Sequence, residues 1–211
     1  RTRSFRQDDA HIFMTLSQVK DEFSQIMRMI GEMYEPFNLK YKLRFGTRPE
    51  EFMGESSDWD IAEKMLREVL DDSRVEYLEA QGEGAFYGPK VDILMKDSLG
   101  REWQTGTIQL DFQQPKNFRL EYIDSDGKGK TPVVFHRALL GSLERFLGIL
   151  TEHYAGNFPV WLAPIQVMLL PIADRHQEYA NKIAQDLLKS GVRVEVNNEA
   201  ETLQSKIRKA T

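Results

Sequence analysis

Apolar positions fall into helical and strand-like periods that predict most of the elements. Val19, Phe23, Ile26, Met27, Ile30 and Met33 predict a helix from about Ser17 to Tyr34, closed by Pro36. Trp59, Ile61, Met65, Leu66, Val69 and Leu70 predict a second helix, with Ser57 or Asp58 as N-cap. Between them Tyr41 to Phe45 alternates like a strand, and Thr47-Arg48-Pro49-Glu50 reads as a turn. Val91 to Met95 and Thr107 to Phe112 are strand-like and joined through Asp97-Ser98-Leu99-Gly100-Arg101, whose glycine suits a hairpin; a largely antiparallel sheet is expected. Leu139, Leu140, Leu143, Phe146, Leu147 and Leu150 predict a buried helical stripe. Within it stands a charged Glu144-Arg145 pair beside the small Gly141 and Ser142, and an arginine at that edge suggests a bound anion.

Further on the order becomes strand, helix, strand. Ile165 to Leu170 is an apolar run, Gln177 to Ser190 is amphipathic, and Gly191 stops that helix before Val192 to Val196. This is a βαβ opening, followed by a helical pattern from Leu203 to Arg208. Pro159 and Pro164 disfavour a helix across the join, and the boundary is expected at Leu162, giving domains 1–162 and 163–211. Few residues remain for an independent α/β domain, so the chain reads as truncated.

The 211 residues are 41% apolar and 29% charged, a balance that folds. A formal net charge of -5 gives no overall attraction to nucleic acid or anionic membrane, so any such contact must be local. The absence of cysteine excludes disulfides and thiolate zinc sites. No apolar run approaches the roughly 18 residues of a membrane span, and a cytoplasmic location is the expectation.

Polar side chains interrupt the strand patterns. Gln104, Thr107 and Gln109 sit among Trp103, Ile108, Leu110 and Phe112, and buried amides and hydroxyls are costly without partners. They either read a ligand or satisfy sheet edges. Gly82-Glu83-Gly84-Ala85-Phe86-Tyr87-Gly88-Pro89-Lys90 allows close backbone approach with a cation at its end, as a binding loop or as a glycine-rich hairpin with a solvated lysine.

Four segments in order then resemble signatures of the threonyl-tRNA synthetases, which are class II aminoacyl-tRNA synthetases. They are Arg3 to Phe13, Gly82 to Lys90, Gln104 to Phe112 and His136 to Phe146. The resemblance covers essentially the whole chain. It implies an α+β fold: a class II antiparallel sheet flanked by helices, then the start of an α/β anticodon-binding domain near Ala163.

By that resemblance His136 to Phe146 is similar to class II motif 3, with Arg145 on the ATP phosphate and adenine, and Arg1 to Phe13 resembles the second strand of motif 2, with Arg1 or Arg3 near ATP. Gln7 and Asp9 match positions that hold threonine, Asp9 accepting from its hydroxyl. Tyr87, Lys90, Gln104, Thr107 and Gln109 line the same pocket, Lys90 and Arg145 being the catalytic cations. The implied reaction is attack of the threonine carboxylate on the α-phosphate of ATP, then transfer to tRNA, with arginines and Mg²⁺ offsetting the developing charge. The family also carries a zinc ion for which His11 and His136 match two of three protein ligands. The third is a cysteine, absent here.

Singly, Asp8 and Asp9 read equally as a turn pair and Arg145 as an ion-pair partner of Glu144. His153 and His176 match no motif and are expected to be structural or on the surface. The absent cysteine is expected upstream of this chain, together with motif 1 and the first strand of motif 2. The parent is expected to be a homodimeric threonine–tRNA ligase and this piece alone to be inactive. The alternative is a non-catalytic synthetase-like protein that binds nucleotide or amino acid or acts as a regulator.

Overall fold

Strand periodicity sets the two faces of the main sheet. The computed structural model describes residues 3–210, which form two compact units meeting in sequence between His153 and Tyr154.

In the first unit β1 is Ala10–Met14, β2 Tyr41–Gly46, β3 Tyr77–Ala80, β4 Lys90–Lys96 and β5 Glu102–Asp111. The two-residue strands β6, Tyr122–Ile123, and β7, Gly129–Lys130, pair with each other, and β8 is Val133–Ala138. The helices are α1 Val19–Tyr34, α2 Ser56–Ser73, α3 Gln113–Asn117 and α4 Leu143–His153. The main sheet has six strands in the order β1-β8-β5-β4-β2-β3. All its pairs are antiparallel except β2 with β3, a parallel edge that the sequence pattern did not mark.

Leu43, Phe45, Val91, Ile93, Ile108, Leu110 and Phe135 are all buried. Alternation turns them to one face, where Phe23 of α1 packs on Phe135 with ring centroids 6.2 Å apart. Burying each such large side chain contributes about 1.5–3 kcal/mol. The alternate positions, Arg44, Lys90, Asp92, Thr107, Gln109, Asp111 and His136, occupy the opposite face.

Several element bounds differ from the sequence expectation. The first helix starts at Val19, after a 3-10 turn at Leu16–Gln18. The second starts at Ser56 with Glu55 in the N-cap position, so Ser57 and Asp58 lie in its first turn. Asp58 instead pairs with Lys116, 2.5 Å away. The strand expected at Thr107 to Phe112 is the ten-residue β5, which begins at Glu102 and ends before Phe112.

The largest correction concerns the stripe beginning at Leu139. Leu139 and Leu140 are buried, but they precede the helix, which starts at Leu143. Phe146, Ile149 and Leu150 form its buried side, whereas Leu143 and Leu147 are 41% and 55% exposed. Gly141, at φ 69, breaks the period, since helical φ is negative and only glycine takes the left-handed region freely.

In the second unit β9 is Val167–Leu169, α5 Gln177–Lys189, β10 Val194–Val196 and α6 Leu203–Ala210. β9 and β10 pair in parallel, the expected βαβ opening.

Candidate active site

Strand register assembles the site on the polar face of the main sheet. Residues directly opposite in an antiparallel pair share a face. His11 lies opposite His136, His136 opposite Gln109, and Gln109 opposite Lys90, forming one row across β1, β8, β5 and β4. A second row runs Ala138, Thr107, Asp92, Arg44. A cleft of about 280 Å³ opens over these rows, lined by Gln7, Asp9, His11, Tyr87, Thr107, Gln109, His136, Arg137 and Ala138. Seven of the residues singled out from sequence thus meet in one place: Gln7, Asp9, His11, Tyr87, Thr107, Gln109 and His136.

The two imidazoles stand edge to face with ring centroids 4.8 Å apart. His136 Nε2 lies 2.8 Å from Oδ2 of Asp111, whose carboxylate is fully buried. The other oxygen, Oδ1, accepts the backbone N–H of Gln113 and Gln114 at the start of α3, so the carboxylate is itself immobilised. Tyr87 donates its hydroxyl to Gln109 and packs edge-on to His136 at 5.5 Å. Burial, then the Asp111 and Asp9 charges, raise the Tyr87 pKa, so the phenol stays protonated at neutral pH.

Beside the cleft a second fully buried carboxylate, Asp92, gathers donors. Arg44 reaches its Oδ2 at 2.8 Å and Lys90 at 3.2 Å, while Gln104 and Thr107 donate to Oδ1 at 2.9 and 3.1 Å. Two cations on one carboxylate leave a net positive edge. Lys90 and Gln104 belong to this network and are not among the residues lining the cleft.

Gln104 shares this face only because the register shifts between Ile93 and Leu94, a bulge that reverses the alternation of β5. Thr105 turns into the core instead, where the buried Tyr34 hydroxyl lies 2.5 Å from its Oγ1 and donates to the Leu139 carbonyl at 2.8 Å. Burial pushes the Tyr34 phenol up to about 12.

Arg145, on the first turn of α4, is exposed and donates Nη2 to the Gln104 carbonyl at 2.6 Å, near the Asp92 network. Its neighbour Glu144 accepts the backbone N–H of Arg6 with both oxygens at 3.1 Å, so Glu144 is engaged by Arg6, not by Arg145 as the alternative reading had it. Arg3 is exposed and apart from the cleft lining, and Arg1 lies outside the described residues.

Sequence reasoning passed over Arg44, Asp92, Asp111 and Arg137. Asp92 and Asp111 stood in plain view as acids inside strand patterns, the same buried-polar signal that marked Gln104 and Gln109. Among the described residues no group of three or more His, Asp or Glu side chains is arranged to hold a metal ion. The His11–His136 pair is suited to supply two neutral nitrogen donors, with Asp111 orienting one of them, and a metal there needs a further donor.

The site is thus a polar sheet face carrying a histidine pair, flanked by the cationic edge around Asp92 and by the turn that leads into α4. Residues 1–154 match the tRNA synthetase class II core domain (G, H, P, S and T), and the chain belongs to that family. Residues 166–211 match the anticodon binding domain family. Among curated relatives, the chain is 49% identical to the threonine–tRNA ligase of Clostridium tetani over 100% of this chain, and 51% identical to that of Carboxydothermus hydrogenoformans over 99%. It spans 33% of the length of each. Among solved structures, the RNA binding domain of threonyl-tRNA synthetase from Cryptosporidium parvum superposes with a TM-score of 0.94 at 39% identity, covering 100% of this chain and 53% of that one. A prolyl-tRNA synthetase from the same organism shares the fold, with a TM-score of 0.64 at 20% identity over 98% of this chain and 40% of that one.

Proposed function

We propose that the protein carrying this chain joins threonine to its tRNA through a threonyl-adenylate. The observation that carries this reading is the convergence of Gln7, Asp9, His11, Gln109 and His136 on one cleft beside a cationic edge. Asp9 accepts the hydroxyl of the bound amino acid, and Gln7 and Gln109 orient its polar groups. Tyr87, held by Gln109, closes the wall beside His136. Arg145 faces the ATP phosphates, where its charge counters that developing as the threonine carboxylate attacks the α-phosphate and pyrophosphate departs; Mg²⁺ bound with ATP would add to that neutralisation.

Threonine and valine are nearly isosteric, so an apolar pocket discriminates between them by only about 100-fold. His11 and His136, with one further ligand, would hold a zinc ion, which would supply a Lewis-acid contact that the threonine hydroxyl can complete and valine cannot. Lys90 and Gln104 act through the Asp92 network at the edge of this pocket.

The catalytic module is assigned to 1–162 and the anticodon module to 163–211; the family matches stop at 154 and resume at 166, leaving Leu162 in the connector. The reading also includes a cytoplasmic homodimer, and no helix among the described residues is long and apolar enough to cross a membrane.

Threonine-dependent ATP–pyrophosphate exchange by the full-length protein, with zinc measured on the same sample, tests this. Exchange with threonine but not valine, at one zinc per chain, is the expected result. Exchange driven by another amino acid, or none, overturns it.

A further inference from the structure

The segment that carries Gln7 and Asp9 is fastened to the turn that leads into Arg145 by a set of contacts centred on Asp8. The Asp8 carboxylate accepts three consecutive backbone N–H groups: Leu139 at 2.9 Å, Leu140 at 3.1 Å and Gly141 at 3.0 Å. In return, the Arg137 guanidinium donates to the Asp8 carbonyl at 3.0 Å. Flanking residues extend the fastening: Gln7 bridges Ser142, the Leu143 N–H donates to the Arg6 carbonyl at 2.9 Å, and Arg6 donates back to Glu144. From beneath, Tyr34 holds the Leu139 carbonyl.

Convergence of three consecutive N–H groups on one carboxylate needs a folded-back backbone, and Gly141 supplies it at φ 69. A Cβ at Gly141 would collide with the Thr105 carbonyl oxygen, so the turn is pressed against β5 while Asp8 grips its outer side. Asp8 is not among the residues lining the cleft, whereas both its neighbours are.

We propose that Asp8 is a positioning residue for adenylate formation, holding the amino-acid residues Gln7 and Asp9 in fixed register with the nucleotide residue Arg145 through the 139–141 backbone. Resting on the ligase reading above, this adds the element that aligns its two substrate halves. In-line attack demands that the threonine carboxylate and the α-phosphate be held in line about 3–3.5 Å apart, and a misplacement of about 1 Å costs roughly 100-fold in rate. A carboxylate in a nest of N–H groups is stiff, because each bond is charge-assisted, and the Arg137 guanidinium lies 3.8 Å from its Oδ2.

The test is Asp8→Asn in the full-length protein, which keeps the shape and one acceptor oxygen but sets an NH₂ group against N–H donors. Threonine binding stoichiometry near one per chain, with affinity within threefold of wild type, together with a kcat for ATP–pyrophosphate exchange reduced about 100-fold, is expected. A kcat within threefold of wild type overturns the inference. So does a kcat that falls only in proportion to lost binding stoichiometry, for then Asp8 merely keeps the chain folded. A wild type lacking threonine-dependent exchange overturns the ligase reading and this inference with it, whereas a competent wild type beside an unaffected variant overturns this inference alone.

Discussion

His136 Nε2 sits 2.8 Å from a carboxylate oxygen of the fully buried Asp111, and Asp111 is held in turn by the backbone of α3. A ring nitrogen engaged this way fixes the imidazole plane and leaves the second nitrogen, Nδ1, as the available donor. Asp111→Asn keeps the helix contacts of Oδ1 but weakens this orientation. Zinc affinity, measured by competition with a chromogenic chelator, is expected to fall by about 10- to 100-fold. Unchanged affinity would show that Asp111 serves the α3 terminus alone.

Arg145 is an exposed cation on the first turn of α4, its guanidinium tethered by one bond to the Gln104 carbonyl. Its removal takes little packing with it, so Arg145→Ala should leave the melting temperature close to wild type. Threonine-dependent ATP–pyrophosphate exchange should drop by about 100-fold or more, the usual effect of deleting a preorganised donor. Exchange near the normal rate would refute a phosphate-facing role.

Tyr34 closes a buried network with Thr105 and the Leu139 carbonyl. Tyr34→Phe takes the side-chain donor from the buried Leu139 carbonyl, while Thr105 keeps the Ile93 carbonyl at 3.3 Å, and a buried group left short costs about 1–3 kcal/mol. Urea denaturation should register this as a lower midpoint with an unchanged slope.

Asp97 organises the β4–β5 hairpin. Burial alone would raise its pKa, but bonds from Trp103, from Arg101 and from the Leu99 and Arg101 backbone outweigh it and hold the carboxyl at about 2, against an ordinary 3.8. A depressed folded-state pKa means that this stabilisation is present above pH 3.8 and is lost as pH falls towards about 2. Wild type should therefore lose stability across that window more steeply than Asp97→Asn, as followed by acid unfolding with circular dichroism. Parallel curves would defeat the assignment.

Periodicity in the sequence determined the elements whose environment is local. The stripe from Val19 to Met33 needed only a 3.6-residue period to mark α1, and the Asp97 to Arg101 turn needed only its glycine and flanking strands. The βαβ order of the second unit was equally legible, because helix-stop and strand signals there alternate without interruption. Motif resemblance marked the histidines and the cleft residues, but as separate stretches of chain.

What only the tertiary structure decided is which of those residues meet. His11 and His136 become neighbours through antiparallel register, a pairing that spans most of the first unit and leaves no trace in local pattern. The bulge after Ile93 turns Gln104 towards Asp92 and Thr105 towards Tyr34, reversing what simple alternation along β5 predicts. Leu139 and Leu140 fit a helical period, yet the left-handed Gly141 and the three N–H bonds to Asp8 hold them outside α4. Local periodicity reports which face of an element is apolar; strand register, bulges and backbone-to-carboxylate contacts depend on partners distant in sequence, and those partners exist only once the sheet has formed.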